Sequence, residues 1–222
     1  FLVYLLKQAD YNLNNLQDEM VSADVLNSVD SMSKNPIPVI YQSGYLTIKD
    51  YDERFRIYKL GFPNKEVENG FIKYLLPLYT PIEENKSEFY VANFINDIRK
   101  GNPDGFMERL QSLFADSDYK ITGKMEKYFQ NSMYLIFKMM GFFTEVERTT
   151  SRGRMDIVMK TKDYIYVMEL KLDGTADEAL KQIEDKGYAE PFKTDGRQIY
   201  KIGVSFSSET RGIEEWRIEG KE

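Results

Sequence analysis

The spacing of apolar positions changes along this 222-residue chain, from mostly helical repeats in the first half to strand-like alternation in the second. Residues 1–32 read as helical, opening on Phe1-Leu2-Val3-Tyr4-Leu5-Leu6, with a further turn and a half over Met20 to Leu26. Ser33-Lys34-Asn35-Pro36 is a breaker. Pro38 suits the first turn of a short helix, Val39 to Gln42, that Gly44 stops. Tyr45 to Ile48 and Phe55 to Leu60 are strand-like runs around a turn-like Lys49 to Glu53, which predicts a β-hairpin. A helix is expected from Lys65 to Leu78, and Thr80 to Ser87, with Pro81 and an acidic cluster, reads as a linker. Residues 88–118 read as helical, split by Gly101-Asn102-Pro103-Asp104-Gly105.

From Gly123 onward the pattern is that of an α/β unit. Lys124 to Met140 places Met125, Tyr128, Phe129, Ser132, Ile136, Met139 and Met140 on one helical stripe, and Gly141 ends it. Strands are expected over Phe142 to Arg148, Arg154 to Lys160, Tyr164 to Leu172 and Gln198 to Phe206, with an edge strand over Ile213 to Ile218. An amphipathic helix, Asp177 to Tyr188, carries Ala179, Leu180 and Ile183. Helix, three-strand meander, helix, strand implies a mixed sheet with helices packed on it. The expected organisation is residues 1–82, a helical linker over 83–122, and an α/β unit over 123–222.

Composition narrows the chemistry. The chain has no Cys and no His, which removes disulfides, thiolate and imidazole metal sites, cysteine nucleophiles and serine–histidine triads. Carboxylates, Lys, Tyr or an oxygen-bound hard metal must do any chemical work. No apolar run approaches the ~20 residues that span a bilayer, and no signal-peptide pattern is visible. A soluble, cytoplasmic protein with no membrane partner is therefore expected. The opening at Phe1, without Met, reads as a fragment of a longer protein. The formal net charge of −6 argues against a basic nucleic-acid coat. It is uneven, however: residues 1–120 hold 13 Lys+Arg against 18 Asp+Glu, and the remainder 17 against 18. A nucleic-acid substrate for the second half is thus compatible with the balance.

The informative segment is Gly153-Arg154-Met155-Asp156-Ile157-Val158 followed by Val167-Met168-Glu169-Leu170-Lys171-Leu172. With a two-residue turn at Lys162-Asp163, Asp156 lies directly across from Glu169. One face then carries Met155, Ile157, Met159, Tyr166, Met168 and Leu170 as core. The other carries Arg154, Asp156, Val158, Val167, Glu169 and Lys171. Carboxylates directly across a ladder repel, with Cβ atoms only ~4.5–5.5 Å apart. A divalent cation converts that repulsion into coordination, and Mg²⁺ uses one or two carboxylates with water and phosphate oxygens. Lys171 shares the face and is placed to hold water or offset transition-state charge. Ser151-Arg152-Gly153-Arg154 is a basic approach suited to phosphate. On residue chemistry alone, a metal site and a solvated charged sheet face both stay open.

The Asp156 and Glu169-Leu170-Lys171 pattern resembles the PD-(D/E)XK nuclease superfamily, whose core runs helix, three strands, helix, strand. Its flanks widen the likeness: Tyr128-Phe129-Gln130-Asn131 to Gly141, Ala179-Leu180-Lys181-Gln182-Ile183, and Gly187-Tyr188-Ala189. Together they resemble a bacterial family that pairs an N-terminal AAA-ATPase-like domain with such a nuclease domain. Pro36-Ile37-Pro38 and Tyr41 to Ile48 are similar to the tail of that ATPase-like region, which would make residues 1–82 its C-terminal part. The resemblance implies an α+β fold, a helical, winged-helix-like first module and a restriction-endonuclease-like mixed sheet flanked by helices. It implies Asp156 and Glu169 as ligands of Mg²⁺ or Mn²⁺, the Leu170 carbonyl as a further ligand and Lys171 as the catalytic lysine. Glu126 matches a supporting acid and Gln182 a glutamine near the site. Arg152, Arg154 and Tyr188 would face substrate; Tyr188 also reads as an aromatic closing a helix end. Met155 stands where the motif's Pro would be.

The implied partners are nucleic acid (DNA before RNA) and the ATPase-like domain of the same protein, with self-association left open. The sequence has no G-x-x-x-x-G-K-[ST] loop, so ATP hydrolysis is not expected of these residues. The rival expectation is a catalytically silent regulatory fragment with a nuclease-like fold, which the near-neutral second half favours. DNA reading by residues 36–78 is a third, because a hairpin between helices resembles a winged helix; no Lys/Arg-rich recognition helix accompanies it.

Overall fold

The computed structural model describes residues 2, 5–6, 11–16, 19–28, 35–115, 125–141, 145–151 and 154–220, with backbone alone at 125–127, 146–151 and 154–156. In chain order the first elements are β1 (Met20–Ser22), α1 (Ala23–Asn27), α2 (Ile37–Gln42), β2 (Thr47–Asp52), β3 (Ile57–Gly61) and α3 (Lys65–Tyr79). Then come α4 (Ser87–Arg99), α5 (Pro103–Ala115), α6 (Met125–Gly141), β4 (Glu145–Ser151), β5 (Arg154–Lys160) and β6 (Tyr164–Leu172). Last are α7 (Ala176–Asp185), β7 (Gln198–Ser207) and β8 (Gly212–Glu219). This is a mixed α+β protein, as the sequence pattern implies. It divides into two units, Phe1–Tyr79 with Ile121–Leu135 and Thr80–Lys120 with Ile136–Glu222.

The first unit holds a three-stranded antiparallel sheet ordered β1-β3-β2. Helix was expected from Met20 to Leu26, but residues 20–22 are strand and only 23–27 are helical. The cause is tertiary: β1 pairs with the free edge of β3, burying Val21 while Met20 and Ser22 stay exposed. The hairpin strands also sit later than expected. Residues 49–52, read as turn, belong to edge strand β2, which bulges between Ile48 and Asp50. The turn is Glu53–Arg56, closed where Asp52 Oδ1 accepts the Phe55 N–H (3.1 Å) and where Arg56 adopts φ 53°.

Asn64 caps α3 by accepting the Val67 N–H (2.9 Å), and the helix buries Phe71, Ile72, Leu75, Leu76 and Tyr79. The Phe71 ring packs on Tyr45 and Phe62. In α6, Asn131 accepts the Leu13 N–H and donates to the Tyr11 carbonyl, both at 2.9 Å. The Ser132 hydroxyl is shared between the carbonyls of Tyr79 and Tyr128.

The second unit is built on a five-stranded sheet ordered β4-β5-β6-β7-β8. All its pairs are antiparallel except β6–β7, which is parallel, so α7 supplies the crossover such a pair needs. Helices α4 and α5, within the stretch assigned above to a linker, pack on the sheet face opposite α7. There the Tyr166 hydroxyl donates to the Ile98 carbonyl (2.6 Å), Phe114 meets Phe206 edge-on, and Gln111 donates to the Ile213 carbonyl (2.9 Å). The Trp216 indole donates to Asp104 (3.3 Å). Gly101, at φ 68°, lies against the Tyr164 ring, where a Cβ would come within 2.6 Å of an aromatic carbon.

Burial, with the Tyr200 ring stacked alongside, pushes the Tyr166 phenol up from its ordinary range and keeps it neutral. Tyr166→Phe is expected to lower stability by about 1 kcal/mol, the usual net worth of one buried hydrogen bond. Urea unfolding followed by Trp216, the single tryptophan, measures it.

Candidate active site

The β5–β6 hairpin turns on Lys162-Asp163: the Thr161 N–H donates to the Tyr164 carbonyl (2.8 Å), and the Tyr164 N–H donates to the Thr161 hydroxyl (3.0 Å). That two-residue loop sets every pair upstream. Asp156 faces Glu169, Ile157 faces Met168 and Arg154 faces Lys171, the register that the sequence predicts. Side chains alternate, so Ile157, Met159, Tyr166, Met168 and Leu170 fall on one buried face. The described part of the core face is therefore as expected.

The opposite face is also covered. Ile165 and Val167 form an apolar cluster with Leu180 and Ile183 of α7 and with Ala189; Val158, Tyr188, Phe192 and Ile199 pack around it. Glu169 stands next along this face and is 0% exposed. A carboxylate so buried is stable only when paired, hydrogen-bonded or coordinated. Lys171, two residues on, is half-buried where β6 leaves the sheet.

Helix α7 reaches this face because Gly203 permits it. Gly203 is the β7 partner of Glu169, and a Cβ there would lie 2.2 Å from the Ala176 carbonyl oxygen and 2.8 Å from the Leu180 nitrogen. The helix starts on a capping box: the Thr175 side chain accepts the Glu178 N–H and the Glu178 carboxylate accepts the Thr175 N–H. It ends three residues earlier than expected, at Asp185, with Gly187 in the left-handed region (φ 64°) and the Tyr188 N–H returning to the Ile183 carbonyl. Gln182 projects from α7 with its Nε2 buried and, among the described residues, without a hydrogen-bond acceptor. Buried donors normally have an acceptor, so this one calls for a partner outside the described residues.

Beyond Lys171 the chain turns through Asp173 at φ 55°. The Asp173 carboxylate accepts the Ser208 N–H and hydroxyl, each at 2.8 Å, and these bonds hold it below the usual carboxylate range. The Asp173 N–H donates to the Phe206 carbonyl (2.8 Å) and the Ser205 hydroxyl to the Gly174 carbonyl (2.6 Å). Sequence reading missed Asp173, Gly174, Ser205, Ser208 and Gly203. Thr175-Asp177-Glu178 was a legible cap signal, and a glycine inside a β-branched strand run was a legible sign of close backbone approach.

Among the predicted site residues, Glu169, Leu170, Lys171, Gln182 and Tyr188 are described in full. Asp156 and Arg154 are placed by backbone register, and their side chains lie outside the described residues, as does that of Glu126, the second residue of α6. Arg152 lies outside them altogether. The Leu170 side chain is buried and apolar, so its carbonyl oxygen is the one atom with which the residue could bind a metal. Tyr188 packs at the helix end on the apolar cluster.

Among the described residues no group of three or more acidic side chains gathers. The register instead pairs two acidic residues, Asp156 and Glu169, the second of them wholly buried. That donor set fits a cation of the Mg²⁺ class, which keeps few protein ligands, and not a soft-metal cage.

The chain is 27% identical over 229 residues to a protein of Azotobacter chroococcum mcd 1 described as an uncharacterized protein in the vnfD 5′ region. The match covers 96% of this chain and 43% of that protein, so the chain spans less than half of its relative's length. Among the described residues no helix is long and apolar enough to cross a membrane. Residues 124–216, from the start of α6 into β8, match the family model of the PD-(D/E)XK nuclease superfamily, and the chain carries a domain of that superfamily.

Proposed function

We propose that this chain is a divalent-metal-dependent nuclease that hydrolyses phosphodiester bonds of nucleic acid, DNA before RNA, with Mg²⁺ or Mn²⁺. The observation that carries the reading is the pairing of Asp156 directly across from a wholly buried Glu169 within the matched domain. Asp156 and Glu169 would hold the cation, with the Leu170 carbonyl as a further ligand. A bound cation supplies Lewis-acid polarisation of the scissile phosphate and neutralises its charge.

The protein's own groups do the rest. The Lys171 ammonium orients the attacking water and stabilises negative charge on the phosphoryl oxygens as the new P–O bond forms and the ester P–O bond breaks. The Gln182 Nε2 donates to a phosphate oxygen or to that water, which supplies its missing acceptor. Arg152 and Arg154 meet neighbouring phosphates. Tyr188 acts by closing the end of α7 over the site's apolar floor. Glu126 keeps the supporting-acid role implied by the sequence resemblance, and coupling to an ATPase-like domain of the same protein belongs to the same reading.

Cleavage of end-labelled DNA and titration calorimetry with Mg²⁺ and Mn²⁺ test the proposal on wild type and Asp156→Ala. Metal-dependent cleavage by wild type, with both cleavage and metal binding lost in the variant, is expected. Undiminished binding and cleavage by Asp156→Ala would overturn the assignment. Wild type that binds DNA without cutting it would point to the silent, interaction-only alternative.

A further inference from the structure

We infer that the turn Asp173–Gly174–Thr175 is a positioning device for Lys171, held in place by a clamp from the far end of β7. The inference rests on the nuclease reading above and assigns residues that reading does not use. Lys171 is the last but one residue of β6 and is paired on both sides, with Arg154 of β5 and Ser205 of β7, which fixes its backbone and not the far end of its long side chain. Its stem instead lies on the turn that follows. A Cβ built on Gly174 would sit 3.2 Å from the Lys171 Cβ, 3.3 Å from its Cδ and 3.1 Å from Glu178 Oε2. The lysine is therefore wedged over a bare backbone, next to the carboxylate that caps α7.

That backbone is unusually well anchored. Four hydrogen bonds, from the N–H groups of Ser208 and Asp173 and the hydroxyls of Ser208 and Ser205, tie residues 173–174 to residues 205–208. Asp173 holds a left-handed conformation that costs a non-glycine residue energy and persists where its surroundings enforce it. The clamp joins the ends of the two parallel strands whose residues Glu169 and Gly203 are partners, so the turn is referenced to the same strands as the site. Asp173 and Gly174 are positioning residues: they act through Lys171 and touch no reacting atom.

Gly174→Ala is the sharpest probe, because Gly174 is not among the residues in the left-handed region. The added methyl has no torsional penalty; it presses on the Lys171 Cβ, which cannot rotate away, so the lysine must shift by tenths of an ångström. Two measurements decide the matter. The first is acetylation of the Lys171 amine by acetic anhydride, quantified by peptide mass spectrometry against the exposed Lys162. A several-fold change in that ratio is expected in Gly174→Ala and Asp173→Ala. The wild-type ratio is expected in Asp173→Asn, which keeps an acceptor for the Ser208 N–H and tolerates the left-handed backbone.

The second is single-turnover DNA cleavage in a double-mutant cycle. Gly174→Ala is expected to slow cleavage about 10- to 100-fold in the wild-type background, and to add nothing in a Lys171→Met background. An unchanged acetylation ratio, or an additive loss in the cycle, overturns the inference. If wild type cuts no nucleic acid, the nuclease reading fails, and the acetylation ratio still decides whether the turn positions Lys171.

Discussion

Replacing Glu169 by glutamine is expected to reduce metal-dependent cleavage by about 10³-fold, in line with the loss of one preorganised electrostatic group at a reacting centre. The substitution keeps the volume of a residue that is entirely enclosed, so the apolar cluster beside it stays filled. It removes the charge of one of two acidic residues paired directly across the ladder. Without metal, the repulsion between them is relieved, and the variant is expected to be as stable as wild type or more so. With metal the order inverts. A ligand that binds the folded chain at a hundred times its Kd adds about 2.7 kcal/mol, and that gain disappears with the carboxylate. Thermal unfolding with and without MgCl₂, alongside single-turnover cleavage, checks both halves. Full activity, or an undiminished metal-induced rise in Tm, would remove Glu169 from the site.

The largest structural effect is expected at Gly203. Gly203→Ala puts a methyl 2.2 Å from the Ala176 carbonyl oxygen and 2.8 Å from the Leu180 nitrogen, and backbone atoms cannot rotate aside. Helix α7 must lift from the sheet, opening the contacts of Leu180 and Ile183 with Ile165 and Val167. A loss of about 3 kcal/mol is expected, at the upper end of ordinary overpacking. Urea unfolding followed by Trp216 fluorescence measures it. Gly212→Ala is the matched control on the neighbouring strand: its new methyl would meet nothing closer than 4.0 Å, and stability should barely move. Because Gly203 pairs with Glu169 and α7 carries Gln182, Gly203→Ala should also slow cleavage more than its stability loss explains. Wild-type stability in Gly203→Ala would show that α7 does not approach the sheet this closely.

Much of the second unit was legible because its information is local. A two-residue turn and a period of two determine the β5–β6 register outright, so the Asp156–Glu169 pairing follows from counting. Helix α7 and edge strand β8 announced themselves by amphipathic spacing and position. Other features depend on partners far away in the sequence. Met20–Ser22 becomes strand only because β3, more than thirty residues later, offers an open edge. The hairpin of the first unit shifted because the Asp52 carboxylate closes a turn on Phe55, which charge content alone does not reveal. Helices α4 and α5 were legible as helical runs, but not what their buried faces would cover. The clamp on Asp173 joins residues thirty-five apart and has no motif to betray it.

The turn at Lys162-Asp163 has a consequence for how this protein can change over time. It lies six residues from Asp156 and from Glu169, about 20 Å along each strand. Yet one inserted or deleted residue there, if absorbed by slippage, would swap inward and outward faces along a whole strand. Substitutions at 162 and 163 should thus accumulate freely among descendants, whereas changes in length should be purged. Inheritance at that bend would police spacing while ignoring identity.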